Sequence, residues 1–155
     1  MQLILWRHAE AEDDAPTDTA RRLTNKGRKQ AEKMAAWVRA QVGSGIKNWR
    51  VIASPAVRAQ QTADALFLPF ERDDAIAPEA SADTVLRAAN WPRGRDNVIV
   101  VGHQPTLGMV AAYLINGEEG YVQVKKGAMW WFEVRERDGK PRVILKAMAS
   151  PDTIT

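Results

Sequence analysis

Three short apolar segments have the pattern of buried β-strands, and each of them ends abruptly in polar residues. These segments are residues 3–6, 49–53 and 97–101. The third contains an unbroken run of valine and isoleucine, which is typical of a central parallel strand that is covered on both faces. A short edge strand is also expected at residues 75–76. Helical segments alternate with the strands, so the sequence predicts a mostly parallel sheet with helices on both faces.

Capping residues and the helical spacing of apolar positions predict four helices. The expected N-caps are Thr24, Ser54 and Ser81, and Gly43 is expected to end the first helix. The expected helices run over residues 24–43, 56–68 and 81–90, and from Pro105 or Thr106 to residue 115.

The C-terminal part of the chain is predicted to form an antiparallel hairpin. Its strands are expected at residues 129–135 and 142–147, and the Asp-Gly pair at 138–139 between them is a strong turn signal. Successive residues of a strand point to opposite faces, so we expect Trp130 to differ from Trp131, with one ring buried and one exposed.

These elements define the predicted fold class as α/β. We expect a three-layer sandwich with a mostly parallel central sheet, helices on both faces and the antiparallel hairpin at the edge. The 155 residues contain no internal repeat, low-complexity tract or linker. A chain of this length can bury one sizeable core, so we expect a single domain over residues 1–155.

The composition excludes several classes of site and partner. The sequence contains no cysteine, which excludes disulfides, thiolate catalysis and zinc sites built on cysteine. No apolar run approaches the roughly 18 residues of a membrane span, and no secretory signal is evident, so we expect a cytoplasmic protein without a membrane partner. The net charge is +3, but no nucleic-acid-binding motif accompanies it, and nucleic acid is not expected as a partner.

Polar residues follow each of the predicted strands at residues 3–6, 49–53 and 97–101. Arg7 and His8 follow the first strand, Ser54 and then Arg58 follow the second, and His103 follows the third. The carboxyl ends of parallel strands meet at one edge, where α/β sheets bind ligands, and helix N-termini there favour anions. Two guanidinium groups suit a tetrahedral oxyanion, which indicates phosphate.

A histidine in such a pocket has a specific chemical use. A neutral imidazole can attack phosphorus and become a phosphohistidine, while arginines hold the oxygens on which charge develops. His8 and His103 are not accompanied by carboxylates at metal-ligand spacing, so neither a metal nor another cofactor is expected.

Longer motifs around these residues resemble those of the histidine phosphatase superfamily. In the order of the family they are Arg7-His8-Ala9, Ser54-Pro55-x-x-Arg58-Ala59-x-Gln61-Thr62 and Val101-Gly102-His103. Together with the small size of the chain, two further stretches resemble the SixA-type phosphohistidine phosphatases. They are Arg21-x-Leu23-Thr24-x-x-Gly27 and Met148-x-Ser150-Pro151.

The resemblance implies a role for each matching residue. His8 would be the nucleophile, and Arg7, Arg58 and His103 would form the phosphate pocket. Arg21 would add a further phosphate contact. The implied activity is metal-independent hydrolysis through a phosphohistidine intermediate, in a fold of the same α/β class.

Departures from the family pattern leave the general acid open. Ala9 stands where the family usually has glycine, and its methyl group could tighten the pocket. Gln104 stands where one branch carries an acid, and the chain lacks the inserted segment that supplies a glutamate in another. Asp18, in the loop after His8, is the first candidate and Glu79 the second. A phosphoramidate needs less acid help, because its leaving nitrogen can be protonated before cleavage.

Several functions fit these residues. The expected substrate is phosphohistidine on a partner protein, such as a histidine phosphotransfer domain, and small phosphate monoesters are the alternative substrates. Two further hypotheses describe proteins that do not hydrolyse phosphate. One is a non-catalytic phosphate-binding module, and the other is a protein that only accepts and passes on phosphate.

Overall fold

The computed structural model describes residues 1–154, and Thr155, the last residue of the predicted domain, lies outside the described residues. Residues 1–154 contain six strands and four α-helices. The strands are β1 Gln2–Arg7, β2 Arg50–Ala53, β3 Glu71–Arg72, β4 Val98–Gly102, β5 Met129–Arg137 and β6 Lys140–Ala149. The helices are α1 Asn25–Val42, α2 Val57–Asp64, α3 Ala82–Ala88 and α4 Thr106–Asn116. Short 3-10 turns lie at Asp18–Ala20, Gly43–Asn48 and Asp74–Ile76.

The six strands form one mixed sheet in the order β3-β2-β4-β1-β5-β6. Both β1 and β2 run parallel to β4, which lies between them, and β3 runs parallel to β2. The hairpin strand β5 pairs antiparallel with β1 and carries β6 to the edge. The predicted fold class, with its parallel centre and antiparallel C-terminal hairpin, is confirmed.

A hydrophobic core lies on each face of the sheet. On one face α1 and α2 pack against Ile4, Trp6 and Val101, and on the other α3 and α4 pack against Leu5 and Val100. Neighbouring residues of β1 and β4 therefore enter different cores, because successive side chains of a strand alternate between faces. This arrangement explains why the central strands are apolar at every position.

The expectation for the tryptophan pair is half right. Trp130 and Trp131 do point to opposite faces, but both rings are buried, one in each core. Helices cover both faces of the sheet at this point. Neighbouring side chains of the strand therefore enter different cores, and neither ring is exposed.

The N-terminus of α1 is built as predicted. Thr24 is the N-cap, and its hydroxyl accepts a hydrogen bond of 2.9 Å from the backbone nitrogen of Gly27. A Cβ atom on Gly27 would collide with the carbonyl oxygen of Glu10, so the glycine allows the helix to pack directly on the chain that leaves β1. Gly43, with φ of 79°, ends the helix.

The prediction for α2 is wrong in its length and its cap. The helix covers Val57–Asp64 and not residues 56–68, and its N-cap is Ala56, which makes no side-chain cap bond. Ser54 is fully buried, and its hydroxyl accepts a hydrogen bond from the nitrogen of Ala56 in the turn before the helix. After the helix the chain turns through Phe67, whose φ is 54°.

The predicted edge strand is also displaced. The strand that pairs with β2 is Glu71–Arg72, whereas residues 75–76 belong to the 3-10 turn Asp74–Ile76. The Asp73 side chain accepts a hydrogen bond from the nitrogen of Ala75 and starts this turn. Ile76 is buried, so its apolar character reflects packing under α3 and not a strand.

The other elements agree with the sequence pattern. Ser81 caps α3 through a bond from the nitrogen of Thr84, and Gly117 ends α4 in the left-handed conformation. Asp138 and Gly139 form the tight turn of the hairpin, both with positive φ. Among residues 1–154, no helix combines the length and the apolar character that crossing a bilayer requires.

Candidate active site

The candidate site forms where β1, β2 and β4 end side by side. The nitrogen of His8 donates a hydrogen bond of 3.0 Å to the carbonyl of Gly102, and the nitrogen of Ser54 donates one of 3.0 Å to Val101. The ends of β1 and β2 are thus both attached to β4. As a result the imidazole of His8 lies beside that of His103, with 5.1 Å between the ring centroids.

His8 is held in one tautomer by its own neighbour. Its Nδ1 lies 2.8 Å from the carbonyl oxygen of Ala9 and donates to it. Its Nε2 accepts a hydrogen bond of 3.4 Å from Nε of Arg58. Because Nε2 accepts, the proton resides on Nδ1, and the lone pair of Nε2 faces the arginine.

Burial keeps both histidines neutral. Burial is the largest cause that lowers the pKa of His8 to about 3, and the nearby His103, Arg58 and Arg7 lower it further. Burial likewise lowers the pKa of His103 to about 4. A neutral imidazole, with one ring nitrogen unprotonated, is the form that can attack phosphorus.

Arg58 is buried at the centre of the site, with its side chain 5% exposed. Its Nη1 donates to the main-chain oxygen of Asp18 at 2.7 Å, and its Nη2 donates to the Asp18 carboxylate at 3.1 Å. Together with its bond to His8, these contacts use three of its donors and fix the plane of the guanidinium group.

Asp18 joins two arginines across the mouth of the site. Its carboxylate also accepts a hydrogen bond of 3.2 Å from Arg21, which in turn donates through Nε to the carbonyl of Glu12. Burial alone would raise the pKa of the Asp18 carboxyl, but the hydrogen bonds and charges of Arg58 and Arg21 outweigh it, so the pKa lies below its usual value.

His103 is held by a residue whose role the sequence did not reveal. Its Nε2 lies 2.7 Å from the hydroxyl oxygen of Ser54, and the two share a hydrogen bond. Its Nδ1 is buried and has no hydrogen-bond partner among residues 1–154. Ser54 belongs to the second motif, which is a sequence signal, but its position before a helix favours the interpretation as an N-cap.

Arg7 is fixed by a loop between α4 and β5 that carries no sequence signal. Its Nη1 donates a hydrogen bond of 2.9 Å to the carbonyl of Val124. The nitrogen of Gly127 donates to the carbonyl oxygens of both Arg7 and His8 at 3.1 Å. Burial lowers the pKa of Arg7, and within residues 1–154 its buried Nε has no hydrogen-bond partner.

The alanine that replaces the family's glycine is accommodated without strain. Among residues 1–154, positive φ at a residue other than glycine occurs at Phe67, Glu79, Asn90 and Asp138, so Ala9 does not adopt it. Ala9 is fully buried in the core on the α1 side. Its nitrogen donates to the hydroxyl of Thr62, which donates to the carbonyl of Arg58. The methyl group therefore fills the core, and Thr62 links the two motifs.

Gln104 has a structural role in place of the acid found in another branch. Its Oε1 accepts a hydrogen bond of 2.7 Å from the nitrogen of Gly108 in the first turn of α4, and its Nε2 donates to Tyr121 and Val122. The amide therefore fastens the start of α4 to the following loop.

The second acid candidate, Glu79, lies on an exposed loop with φ of 72°. The next carbonyl along the chain, that of Ala80, accepts a hydrogen bond of 2.6 Å from Thr106 at the start of α4. This bond brings the loop beside the segment that follows His103.

The four principal residues named from the sequence, Arg7, His8, Arg58 and His103, thus come together at one edge of the sheet, and Asp18 and Arg21 border them. Within residues 1–154, no cluster of three or more histidine, aspartate or glutamate side chains has the arrangement of a metal site. The expectation of metal-free chemistry stays a prediction.

Comparison with known proteins agrees with this geometry. Residues 3–77 match the family described as the histidine phosphatase superfamily, branch 1. The phosphohistidine phosphatase SixA of Escherichia coli K12 is 34% identical, over 76% of each chain. A SixA homolog of Haemophilus influenzae is 30% identical, over 97% of each chain.

A solved structure covers almost the whole molecule. It is that of the protein histidine phosphatase SixA complexed with tungstate, which is 27% identical over 98% of each chain with a TM-score of 0.79. The sequence relatives and this structure agree with each other and with the motifs at the ends of β1, β2 and β4. The chain therefore belongs to the histidine phosphatase superfamily, and SixA proteins are among its relatives there.

Proposed function

We propose that this protein is a phosphohistidine phosphatase that uses His8 as its nucleophile. The observation that carries the proposal is the pair of contacts on His8: Ala9 fixes the proton on Nδ1, and Nε2 is left as an acceptor beside the buried guanidinium of Arg58. This arrangement presents a neutral nucleophile to a site that is rich in positive charge.

In the first step, Nε2 of His8 attacks phosphorus and a new N–P bond forms. The bond from phosphorus to the leaving group breaks, and its electron pair goes to that group. Arg58 and Arg7 would hold the phosphoryl oxygens as charge develops on them. A phosphoryl group between these side chains would also give acceptors to the buried Nε of Arg7 and to Nδ1 of His103, if that nitrogen carries the proton.

In the second step, water attacks the phosphorus of phospho-His8. The N–P bond breaks, its electron pair returns to Nε2, and inorganic phosphate leaves. The same guanidinium groups would stabilise the transition state of this step, because the phosphoryl group stays between them while the attacking group changes. Arg21 would contact the outer side of the phosphoryl group.

The favoured substrate is phosphohistidine on a partner protein, such as a histidine phosphotransfer domain. Two relatives support this choice, since both are phosphohistidine phosphatases by name. Tungstate is a tetrahedral oxyanion like phosphate, and its presence in the related SixA structure is consistent with a phosphoryl pocket in this family. Small phosphate monoesters are the alternative substrates. The alternative functions, which involve no turnover, are a phosphate-binding module and a phosphotransfer protein.

The proposal is tested by comparing wild-type protein with His8→Ala on a histidine-phosphorylated protein. We expect turnover by the wild type and a loss of at least about a thousandfold in the variant, because the covalent route is removed. Acid-labile phosphate should be trapped on wild-type protein alone. Unchanged turnover in His8→Ala would refute the mechanism. A stable label without turnover would indicate a transfer protein, and bound phosphate without label or turnover a binding module.

The identity of the proton donor is tested separately. Asp18 is held ionised by two arginines, which favours a role in orienting Arg58, whereas Glu79 is free of such ion pairs among residues 1–154. We expect Glu79→Gln to slow hydrolysis of phenyl phosphate by about tenfold or more and to affect p-nitrophenyl phosphate little, because only the poorer leaving group needs a proton. A selective loss of phenyl phosphate hydrolysis in Asp18→Asn would assign the proton donor to Asp18.

We also retain the expectation of one domain over residues 1–155. Both ends of the chain support it, because β1 near the start and β5 and β6 near the end are adjacent strands of the same sheet. Limited proteolysis should yield no stable fragment that lacks either end.

A further inference from the structure

A groove lined by Arg7 and five lysines adjoins the candidate active site, with a cavity volume of about 580 Å³. We call it the basic groove, and its lysines are Lys26, Lys29, Lys33, Lys125 and Lys126. Arg7 belongs both to the groove and to the proposed phosphoryl pocket, so the two are continuous. Asp152 is the one acid among the described residues that line it.

One wall of the basic groove is a single face of α1. Lys26, Lys29 and Lys33 are spaced by three and four residues, which places them in a row along the helix. The row is fixed relative to the active site, because the close packing at Gly27 and a hydrogen bond from the nitrogen of Glu10 to Gln30 join α1 to the chain that follows His8.

The opposite wall is the loop that holds Arg7. Lys125 and Lys126 lie between Val124, which accepts the bond from Arg7, and Gly127, which donates to the carbonyl oxygens at the end of β1. Both walls are therefore bonded to the segment that carries the nucleophile, and the backbone of each wall keeps a fixed position relative to it.

Part of this positive charge has no ion-pair partner among residues 1–154. Lys125 forms an ion pair of 2.9 Å with Asp152, and Lys33 donates to the carbonyl of Pro151. For Lys26, Lys29 and Lys126, no ion pair occurs among residues 1–154. Three like charges in one groove repel each other, and an anionic partner would relieve that repulsion.

We propose that the basic groove docks an acidic surface of the phosphorylated protein, immediately beside its phosphohistidine. This inference rests on the proposed function, and it adds the chemistry by which the partner would be recognised. Carboxylates flanking the phosphohistidine would pair with Lys26, Lys29 and Lys126 while the phosphoryl group enters the pocket at Arg7.

The composition of the groove favours a protein surface over other anions. The row from Lys26 to Lys33 extends for roughly 10 Å along the helix, which exceeds the size of one phosphate group. Flexible ammonium groups suit scattered carboxylates, whereas bidentate phosphate binding is typical of arginine. The described residues that line the groove include no aromatic side chain on which a nucleobase could stack.

Two short peptides that each carry one phosphohistidine provide the test. In one peptide the phosphohistidine is flanked by aspartate and glutamate, and in the other these acids are replaced by asparagine and glutamine. The readout is the ratio of kcat/KM between the two peptides. We expect wild-type protein at low salt to favour the acidic peptide by about tenfold, and this preference to fall as salt is added.

The groove variant is Lys26→Gln, Lys29→Gln, Lys126→Gln, and we expect its ratio to fall close to one. The matched control is Lys47→Gln, Lys140→Gln, Arg142→Gln, which removes the same charge. Its three side chains are exposed and lie before β2 or beside the hairpin turn, at the opposite edge of the sheet from the site. The control should keep the wild-type ratio.

The outcomes separate this inference from the proposed function. Equal turnover of both peptides by wild-type protein would overturn the docking proposal and leave the phosphatase activity standing. No turnover of either peptide would overturn the proposed function, and the docking proposal with it. An unchanged peptide ratio in the groove variant, together with loss of binding to a labelled single-stranded oligonucleotide, would reassign the groove to nucleic acid.

Discussion

At the scale of single residues, the reactivity of His8 depends on the carbonyl of its own neighbour. The carbonyl of Ala9 accepts a hydrogen bond from Nδ1 of His8, so a motif of adjacent residues both supplies the nucleophile and selects its tautomer. Burial then removes the competing protonated form by lowering the pKa to about 3. Orientation and protonation state are therefore set before a substrate arrives.

This arrangement predicts the ring-nitrogen NMR spectrum of the protein. We expect His8 to show the pattern of a neutral ring with the proton on Nδ1, and both histidines to stay neutral down to about pH 5, because their pKa values are about 3 and about 4. The His8→Asn and His103→Asn variants assign the signals. A His8 signal that titrates near pH 6.5, the ordinary pKa of histidine, would contradict the prediction.

The geometry of Arg58 predicts that lysine cannot replace it. Three of its nitrogen atoms contact His8 and Asp18 from a buried position, and a lysine presents one charge without the planar fork. We expect Arg58→Lys to lower kcat/KM by about a hundredfold or more, and circular dichroism to confirm its folding. Arg21, whose side chain is 26% exposed, offers the matched control, and Arg21→Lys should lose less than about tenfold.

At the scale of elements, the close contact between α1 and the chain after β1 depends on Gly27. A Cβ atom there would meet backbone, which cannot move aside as a side chain can. We expect Gly27→Ala to destabilise the protein by about 1–3 kcal/mol, as overpacking does in other cores. Gly45→Ala is the control, because a Cβ at Gly45 has open space. Urea denaturation measures both, and equal midpoints would contradict the prediction.

Patterns of neighbouring residues are sufficient to predict most helices and strands. They fail where a side chain has a partner that is distant in the sequence. Thr24 was predicted as a cap because its partner, Gly27, lies three residues away. The role of Ser54 escapes such patterns, because its partner His103 follows β4 and is far away in the sequence. The position of the edge strand escapes local patterns for a similar reason, since Ile76 is apolar because it packs between elements and not because it pairs in a strand.

At the scale of the whole molecule, two neutral buried histidines make stability depend on pH. Their pKa is about 6.5 in the unfolded chain and about 3 and about 4 in the folded protein. Between about pH 4 and 6.5 the unfolded chain binds more protons, so the free energy of unfolding rises with pH there. The contribution is complete above about pH 6.5 and is lost as the pH falls through the folded values.

The measurement is urea denaturation of wild-type protein and of the His8→Asn, His103→Asn double variant at several pH values from about 4.5 to 7.5. The wild type should lose more unfolding free energy towards low pH than the double variant does. The comparison between the two proteins cancels the titration of carboxylates elsewhere. Parallel curves would show that the histidines titrate alike in the folded and unfolded states.

The main residues of the site could be predicted from the sequence because each follows a strand that the apolar pattern identifies. Arg7 ends β1, His8 and His103 directly follow β1 and β4, and Arg58 lies in the first turn of the helix after β2. The loop that holds Arg7 could not be predicted, because it binds Arg7 through the backbone carbonyl of Val124. Any residue type at that position would offer the same carbonyl. The basic groove is likewise invisible in the sequence, since its two walls are about 90 residues apart along the chain.

The position of β4 between β1 and β2 determines when this protein can become reactive during its synthesis. A growing chain carries His8 and Arg58 early, but the strand to which their segments are attached, through Gly102 and Val101, is made later. Until that strand enters the sheet, the nucleophile and its arginine have no fixed spacing. A ribosome-bound fragment should therefore be inert towards phosphoryl groups, and activity should begin only after the central strand is in place.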